Sequence, residues 1–592
     1  MKTFIFSDYC RLDGLTGAAI DPVEVPISDS LTFMAARNEY ASFQLAIKSA
    51  SIQVEDINID VSFETGDSVK LETGESVKFE TTIYYEWFHK VEDKLIPDLL
   101  VPITHARELN TLIENYYQSD YMVFWVDVFV PKDITPGTYN GQVRVAANST
   151  HAVHNITLVV SKAELTDESL IIADMNNYAD SVTRNFPHLI ENDNRFMDSS
   201  YFAAEKDFYR ISHEHRTIFH HLPYDHNGRN VATFAPKLSG EGKSIHVCDW
   251  TLFDEHFGPY FDGTAFAGTQ PGPIPVPYAY LPFNFNWPAS YEKWGTEGYK
   301  IENRRILLDF IRHFEEKGWT QTVFELFYNH KKRYRYYPYD GDELRHEQDA
   351  EIIYTFNDIF GDLLEQSNVK VIFRTDASWS FGSHYNSEIS KIIKMWAVGS
   401  GLLLLYPDSY AYMKNQGNIL WMYGGVPEMK TSLLKLYEWP LRCLQNGFDG
   451  LLFWNATGIG ADFLTCPIAD GSQTLFYPGH PFGLKGVLPS LRLKYLRNTM
   501  QLVDLVKMHE GTWTFHKMRD AIDKLYGVNR EQWHDSLPEA MRIPPHEMTN
   551  DLIGSSPRNN PSRNAKPDLP SKIKEKILEM AANYKGASSP WV

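Results

Sequence analysis

The sequence predicts a multidomain chain: an N-terminal antiparallel β-sandwich, then a (β/α)8 TIM-like barrel, then a short irregular and helical C-terminal region. Three observations carry this reading. Residues 1–165 contain short alternating or β-branched runs separated by turn residues. From about 168 the rhythm changes to strand, loop, helix, which is how a parallel sheet covered by helices reads. After about 511 no such rhythm survives. At about 150 residues per domain as a soft prior, 592 residues leave room for this organisation. The expected boundaries are 1–165, 166–510 and 511–592.

In the first region, runs at 31–33, 43–47, 121–130 and 141–146 read as strands, with Pro136-Gly137 as a turn between them. Glu64-Thr-Gly-Asp-Ser-Val-Lys-Leu is nearly repeated by Glu72-Thr-Gly-Glu-Ser-Val-Lys-Phe. Two copies are too few for a solenoid and suit a meandering surface ribbon. In the second region the expected strands are 170–175, 217–222, 278–285, 322–328, 369–374, 402–406, 419–423 and 450–454. Helical periodicity fills 205–215, 299–317, 345–365, 387–398 and 430–445. An open doubly wound sheet is the alternative, but no glycine-rich phosphate loop follows the first strand. Residues 554–571 are rich in Pro, Ser and Asn and read as a linker or arm; Ser571 then starts a short helical pattern over 572–585, closed by Gly586.

Composition narrows the partners. The chain carries a formal net charge of −20, which disfavours a nucleic-acid partner. It holds 14 Trp, 33 Tyr and 35 Phe. Ring faces beside carboxylates suit a neutral, hydroxyl-rich ligand, because rings pack on C–H groups while carboxylates accept hydroxyl protons. Cys10, Cys248, Cys443 and Cys466 form neither a disulfide framework nor a zinc motif. No uncharged apolar run approaches the ~18 residues of a membrane span. As it stands the start is not a signal peptide, so the chain reads as cytoplasmic, or as secreted or periplasmic if a signal was trimmed. No cofactor and no catalytic metal is expected. His213-Glu214-His215 lacks the spacing of a zinc helix, Glu214 reads as a solvated residue, and His220 and His221 point opposite ways on a strand.

Function in such a barrel lies at the C-terminal ends of the strands. Those ends carry Asp174 and Asn176; His220 and His221; Asn284, Asn286 and Trp287; Tyr328, Asn329 and Lys331. The later ones carry Arg374, Asp376 and Trp379; Tyr406 and Asp408; Trp421 and Tyr423; Trp454 and Asn455. Amides, carboxylates and wide rings are what a sugar cleft needs, although some of the rings are equally expected to pack between barrel and helices. The sharpest local feature is Asp340-Gly341-Asp342-Glu343, after the fourth strand. Two adjacent carboxylates can divide acid and base labour when their surroundings differ. Asp340-x-x-Glu343 is also the spacing of a helix capping box, so both readings stand. Glu325 is a rival carboxylate, or a buried partner of Lys331 or Arg374.

Several motifs resemble a known family. Trp421-Met-Tyr-Gly-Gly-Val-Pro, Glu438-Trp-Pro-Leu-Arg, Asn446-Gly-Phe-Asp-Gly-Leu-Leu-Phe-Trp and Leu488-Pro-Ser-Leu-Arg-Leu-Lys-Tyr-Leu-Arg are similar to the domain of unknown function 4091, here about 400–510. So is the stretch from Asp470-Gly to Phe476-Tyr-Pro-Gly. That domain is found with glycoside hydrolase family 123. Ala36-Arg-Asn-Glu-Tyr-Ala-Ser-Phe-Gln and Val130-Pro-Lys-Asp-Ile-Thr-Pro-Gly-Thr-Tyr-Asn-Gly resemble the sandwich that precedes such barrels. The resemblance implies a β-N-acetylgalactosaminidase-like glycosidase that hydrolyses with retention and is assisted by the substrate's own 2-acetamido group. It implies that Asp342 orients that group and that Glu343 is the general acid and base. A sugar without the acetamido group would need a second carboxylate, such as Glu325 or Asp376. A non-catalytic carbohydrate-binding protein on a decayed barrel is the remaining alternative.

Overall fold

The computed structural model describes residues 1–21, 28–48, 52–64, 79–104, 109–190, 199–228, 234–327, 350–377, 387–399, 413–465, 474–526 and 569–583. The first nine strands are β1 (Lys2–Ser7), β2 (Ser30–Arg37), β3 (Glu39–Lys48), β4 (Ile57–Phe63), β5 (Glu80–Val91), β6 (Lys94–Pro102), β7 (Tyr121–Val130), β8 (Gly137–Ala147) and β9 (Thr150–Glu164). They form two sheets, in the orders β1-β3-β7-β5-β6 and β2-β9-β8-β4. All pairings are antiparallel except β2 with β9. Alternation along β8 and β9 sends Tyr139, Val143, Val145, Ile156 and Leu158 into the core between the sheets and leaves their neighbours more open. β7 breaks that rule, because Met122–Val130 are all buried. Its second face is covered by a helix from the far end of the chain. The Arg37-Asn38-Glu39 motif has a local cause. Asn38 adopts a left-handed φ of 61°, its side chain donates to the Leu165 carbonyl, and Glu39 accepts from the Ala36 N–H. The near-repeat at 64–79 lies almost wholly outside the described residues.

The barrel strands are β10 (Ile172–Asn177), β11 (Ile218–His221), β14 (Tyr278–Tyr280), β15 (Val323–Leu326), β16 (Val371–Ala377), β17 (Ile393–Gly399), β18 (Ile419–Gly425) and β19 (Gly450–Trp454); β12 (Lys237–Ser239) and β13 (His246–Asp249) form a small hairpin among them, and β20 (Phe476–Pro478) with β21 (Val487–Pro489) another after them. The sheet order is β11-β10-β19-β18-β17-β16-β15-β14, and every ladder in it is parallel. The two edge strands, β11 and β14, meet through side chains: His220 stacks on Tyr280 with ring centroids 3.9 Å apart, and from β10, next to that edge, the Asn176 amide donates to the Tyr280 hydroxyl at 2.7 Å.

One expected strand is corrected. The sixth barrel strand is β17, not 402–406, which lies outside the described residues. The stretch read as a helix over 387–398 is a helix only at Ser387–Ile392 and then extends. Met395 and Ala397 point into the barrel while Trp396 and Val398 point out, a period of two that the apolar spacing at 389, 392 and 396 had masked. The third strand is also shorter than expected, since Asn284 pairs back on Trp287 in a turn. The helix Thr251–Phe261 had no expectation.

The helix Leu491–Lys507, started by Ser490 accepting from the Leu493 N–H, is buried from Leu491 to Val506. Arg492 forms a two-pronged pair with Asp98, Arg497 one with Asp127, and Asp504 one with Arg216 beside the start of β10. Glu214, expected on a solvated face, instead lines a groove with Tyr40, Arg216 and Gln501. The C-terminal helix Leu569–Ala582 docks through buried Ile573, Ile577 and Leu578. Among the described residues no helix is long and apolar enough to cross a membrane.

Candidate active site

Each barrel strand offers every second side chain to the interior. The floor of that interior is apolar: Ile172, Ile218, Val323, Ile372, Met395 and Ile419. One step further along the strands the chemistry changes. Asp174, His220, Tyr280, Glu325 and Arg374 face one another in half of the barrel, while Ala397, Trp421 and Leu452 fill the other half. Gly450 leaves the space that Trp421 occupies, since a Cβ there would lie 2.6 Å from the indole nitrogen.

Arg374 organises the polar half. Its guanidinium reaches Glu325 at 2.8 Å, Asp376 at 3.4 Å and Asp174 at 4.0 Å. It also lies over the rings of Phe327 at 4.9 Å, Tyr280 at 5.0 Å and Trp421 at 5.5 Å. Burial opposes the charge on Arg374, but Tyr280, Glu325, Asp376 and Asp174 outweigh it and hold the group well above its ordinary range. Burial likewise pushes the Tyr280 hydroxyl well above its usual value. Asp174 Oδ2 accepts from His220 Nδ1 at 3.0 Å. Among the described residues, Asp174 Oδ1, Glu325 Oε1 and His220 Nε2 have no hydrogen-bond partner.

Outside the barrel wall the next residue of β11 is held as firmly. His221 donates to Glu205 at 2.8 Å, and the same carboxylate receives His256 at 2.6 Å and the hydroxyls of Tyr201 and Tyr260 at 3.0 and 3.3 Å. Burial alone would raise the Glu205 carboxyl, but His256 and His221 hold it well below the carboxylate range. The two histidines therefore do point opposite ways.

Above the polar cluster lies an aromatic rim. Tyr178 meets Trp454 edge to face at 4.9 Å, and Tyr224 and Phe327 complete it. Of the residues expected to bind substrate, Arg374 and Asp376 belong to the cluster, and Trp454 and Tyr423 sit half-buried at the strand ends. Asn455 follows Trp454 with a left-handed φ of 57°, its N–H donating to the Asn176 carbonyl. Trp421 is fully enclosed below the rim, packed edge-on against Tyr278, and presents no face to the mouth. Trp287 packs its ring on Phe283 and Phe310, in the layer between strands and helices. Asn286 is exposed and accepts from the Tyr291 N–H in a turn. Asp342, Glu343, Asn329, Lys331, Trp379 and Tyr406 lie outside the described residues. The sequence reading placed Asp174 and His220 at strand ends and named Glu325 apart, as a rival carboxylate or a partner of Lys331 or Arg374, without joining the three; the period of two along each strand is the signal that each faces inward.

Neither a family model nor a curated protein matches the sequence. Solved structures do. A family 123 glycoside hydrolase from Clostridium perfringens, described for glycolipid glycan hydrolysis, aligns over 98% of this chain and 98% of its own, with a TM-score of 0.59 at 12% sequence identity. A family 10 xylanase containing a bacterial Ig-like domain, from termite gut, aligns over 81% of this chain and 100% of its own at 7% identity and a TM-score of 0.27. The sandwich followed by an eight-stranded parallel barrel is the fold of that family 123 glycoside hydrolase.

Proposed function

We propose that the chain is a glycosidase that cleaves a β-linked glycan with retention, using the 2-acetamido group of an N-acetylhexosaminide. The observation that carries this reading is the barrel mouth, with a buried polar cluster under a rim of rings at the strand ends of a fold shared with a family 123 glycoside hydrolase. In the reaction, the acetamido carbonyl oxygen attacks the anomeric carbon as the leaving oxygen takes a proton from Glu343. Water then adds to the anomeric carbon while Glu343 recovers a proton, and the oxazoline ring opens. Asp342 holds the acetamido N–H and its charge offsets that of the oxazolinium. Substrate assistance is one of the exceptions to the rule of two enzyme carboxylates. The carboxylates weighed for a sugar without an acetamido group, Glu325 and Asp376, are both engaged by Arg374.

A panel of aryl β-glycosides with and without 2-acetamido groups tests the proposal. Hydrolysis confined to acetamido sugars, inhibition by an oxazoline-mimicking thiazoline, and a fall in turnover of at least ~100-fold in Glu343→Gln are the expected outcomes. Cleavage of 2-hydroxy sugars that ignores the thiazoline would overturn substrate assistance.

A further inference from the structure

We infer that Asp174, His220 and Glu325 form a deep subsite for the hydroxyl groups of the sugar ring and set which ring hydroxyls the enzyme demands. The inference rests on the glycosidase reading above. Its basis is an imbalance of donors and acceptors. A carboxylate cannot donate, so the His220 Nδ1 that meets Asp174 Oδ2 at 3.0 Å carries the hydrogen; with no second proton on the ring, Nε2 is an acceptor. Asp174 Oδ1 and Glu325 Oε1 are acceptors as well. None of the three has a partner among the described residues, and all three belong to side chains almost fully enclosed in the barrel. Buried acceptors without donors are costly and are not retained by packing alone. Hydroxyl groups supply the missing hydrogens; a phosphate or carboxylate ligand would not.

The surroundings fix these acceptors in place. Arg374 holds the other oxygen of Glu325 at 2.8 Å. Tyr280 lies flat against the His220 ring, and the Glu205 clamp on His221 keeps β11 from turning. Ile218, two residues before His220, lies among the interior residues, so His220 shares that inward face. The rings of Tyr280, Phe327 and Trp454 stand beside the same space.

The test compares 4-nitrophenyl N-acetyl-β-D-galactosaminide with its 3-deoxy, 4-deoxy and 6-deoxy analogues. In the wild type, loss of at least one hydroxyl should lower kcat/KM by ~100-fold or more, since a site built to bond a hydroxyl rejects the analogue lacking it. In Asp174→Asn and His220→Gln that penalty should shrink at least tenfold, while melting temperature reports whether each variant is folded. Penalties unchanged in folded variants assign these residues to packing and overturn the subsite. The wild-type series stands even if neither variant folds: hydrolysis of the parent with no deoxy penalty above about threefold overturns the subsite but keeps the glycosidase. No hydrolysis of any aryl glycoside in the panel overturns both.

Discussion

Glu86 on β5 is fully enclosed, and neither of its carboxylate oxygens has a hydrogen-bond partner among the described residues. Burial pushes the carboxyl up to about 8, with Arg11 pulling it down and Asp98 adding to the rise. The folded chain therefore holds this proton where the unfolded chain has released it, so stability falls as pH rises from the ordinary 4.5 to about 8 and is flat above. Nearby His89 acts in the opposite sense, because burial lowers its imidazole to about 4 and its destabilisation appears only as pH falls below 6.5. Glu86→Gln keeps the shape and removes the titration. Its advantage over wild type in urea midpoint should be small at pH 4.5 and grow to pH 8; parallel curves would show that the carboxyl titrates normally. Gly450 offers a steric counterpart. A Cβ there would lie 2.6 Å from Trp421 Nε1 and 2.8 Å from the Ile172 carbonyl, so Gly450→Ala should cost about 1–3 kcal/mol by chemical denaturation. Adding Trp421→Phe should recover part of that loss, whereas strictly additive losses would mean the indole is not the obstacle.

At the scale of elements, legibility followed how many faces each element buries. β7 and β19 are read to their end residues from sequence, because β-branched and aromatic runs bounded by turns leave no competing period. β17 was hidden by its own burial. With Ile393, Met395, Trp396, Ala397 and Val398 all enclosed, period two and period 3.6 fit equally well, and only the parallel ladders to β16 and β18 decide. The site was legible as a set of strand ends but not as a constellation. Asp174, His220 and Arg374 are far apart in sequence; the β10–β11 ladder joins the first two, and the curvature of the sheet brings Arg374 across to them. The short C-terminal helix was legible from its periodicity over 572–585, but it begins earlier, at Leu569, so Ser571 lies inside it rather than starting it; Ile573 and Ile577, one turn apart, lie on its buried face. Lys574 on that helix pairs with Glu39 at the start of β3. Ile577→Ala should therefore cost about 2–5 kcal/mol of stability. A loss below 0.5 kcal/mol in a denaturant titration would show that the helix is not docked in solution.

Across the whole molecule, the helix Leu491–Lys507 belongs to both halves at once. Leu491 packs with Leu100 and Trp125 of the sandwich, while Leu493, Leu496 and Met500 join the core around the barrel. Its charged residues reach in both directions, Arg492 and Arg497 to Asp98 and Asp127 of the sandwich and Asp504 to Arg216 beside the barrel. Burial alone would raise Asp98 and Asp127, yet their cationic partners hold both carboxyls below the usual range. Their pairing contributes stability above the ordinary 3.8 that is lost as pH falls through the depressed values, so acid loosens the joint. Chains of this size commonly unfold domain by domain. A shared buried helix argues against that here, because neither half can expose it without stripping the other. Thermal unfolding followed by tryptophan fluorescence and far-ultraviolet circular dichroism should give one coincident transition. Arg492→Met strands the Asp98 carboxylate, with the Tyr477 hydroxyl at 2.6 Å and no other cation in direct contact among the described residues. It should cost about 3–5 kcal/mol, the usual penalty for breaking one side of a buried pair. The decisive readout is shape rather than size. If the variant's two probes separate, with the sandwich melting before the barrel, the Arg492–Asp98 pair is what couples the halves. If both probes shift together, the apolar faces of the helix suffice; and if the wild type already melts in two steps, the helix does not weld the halves at all.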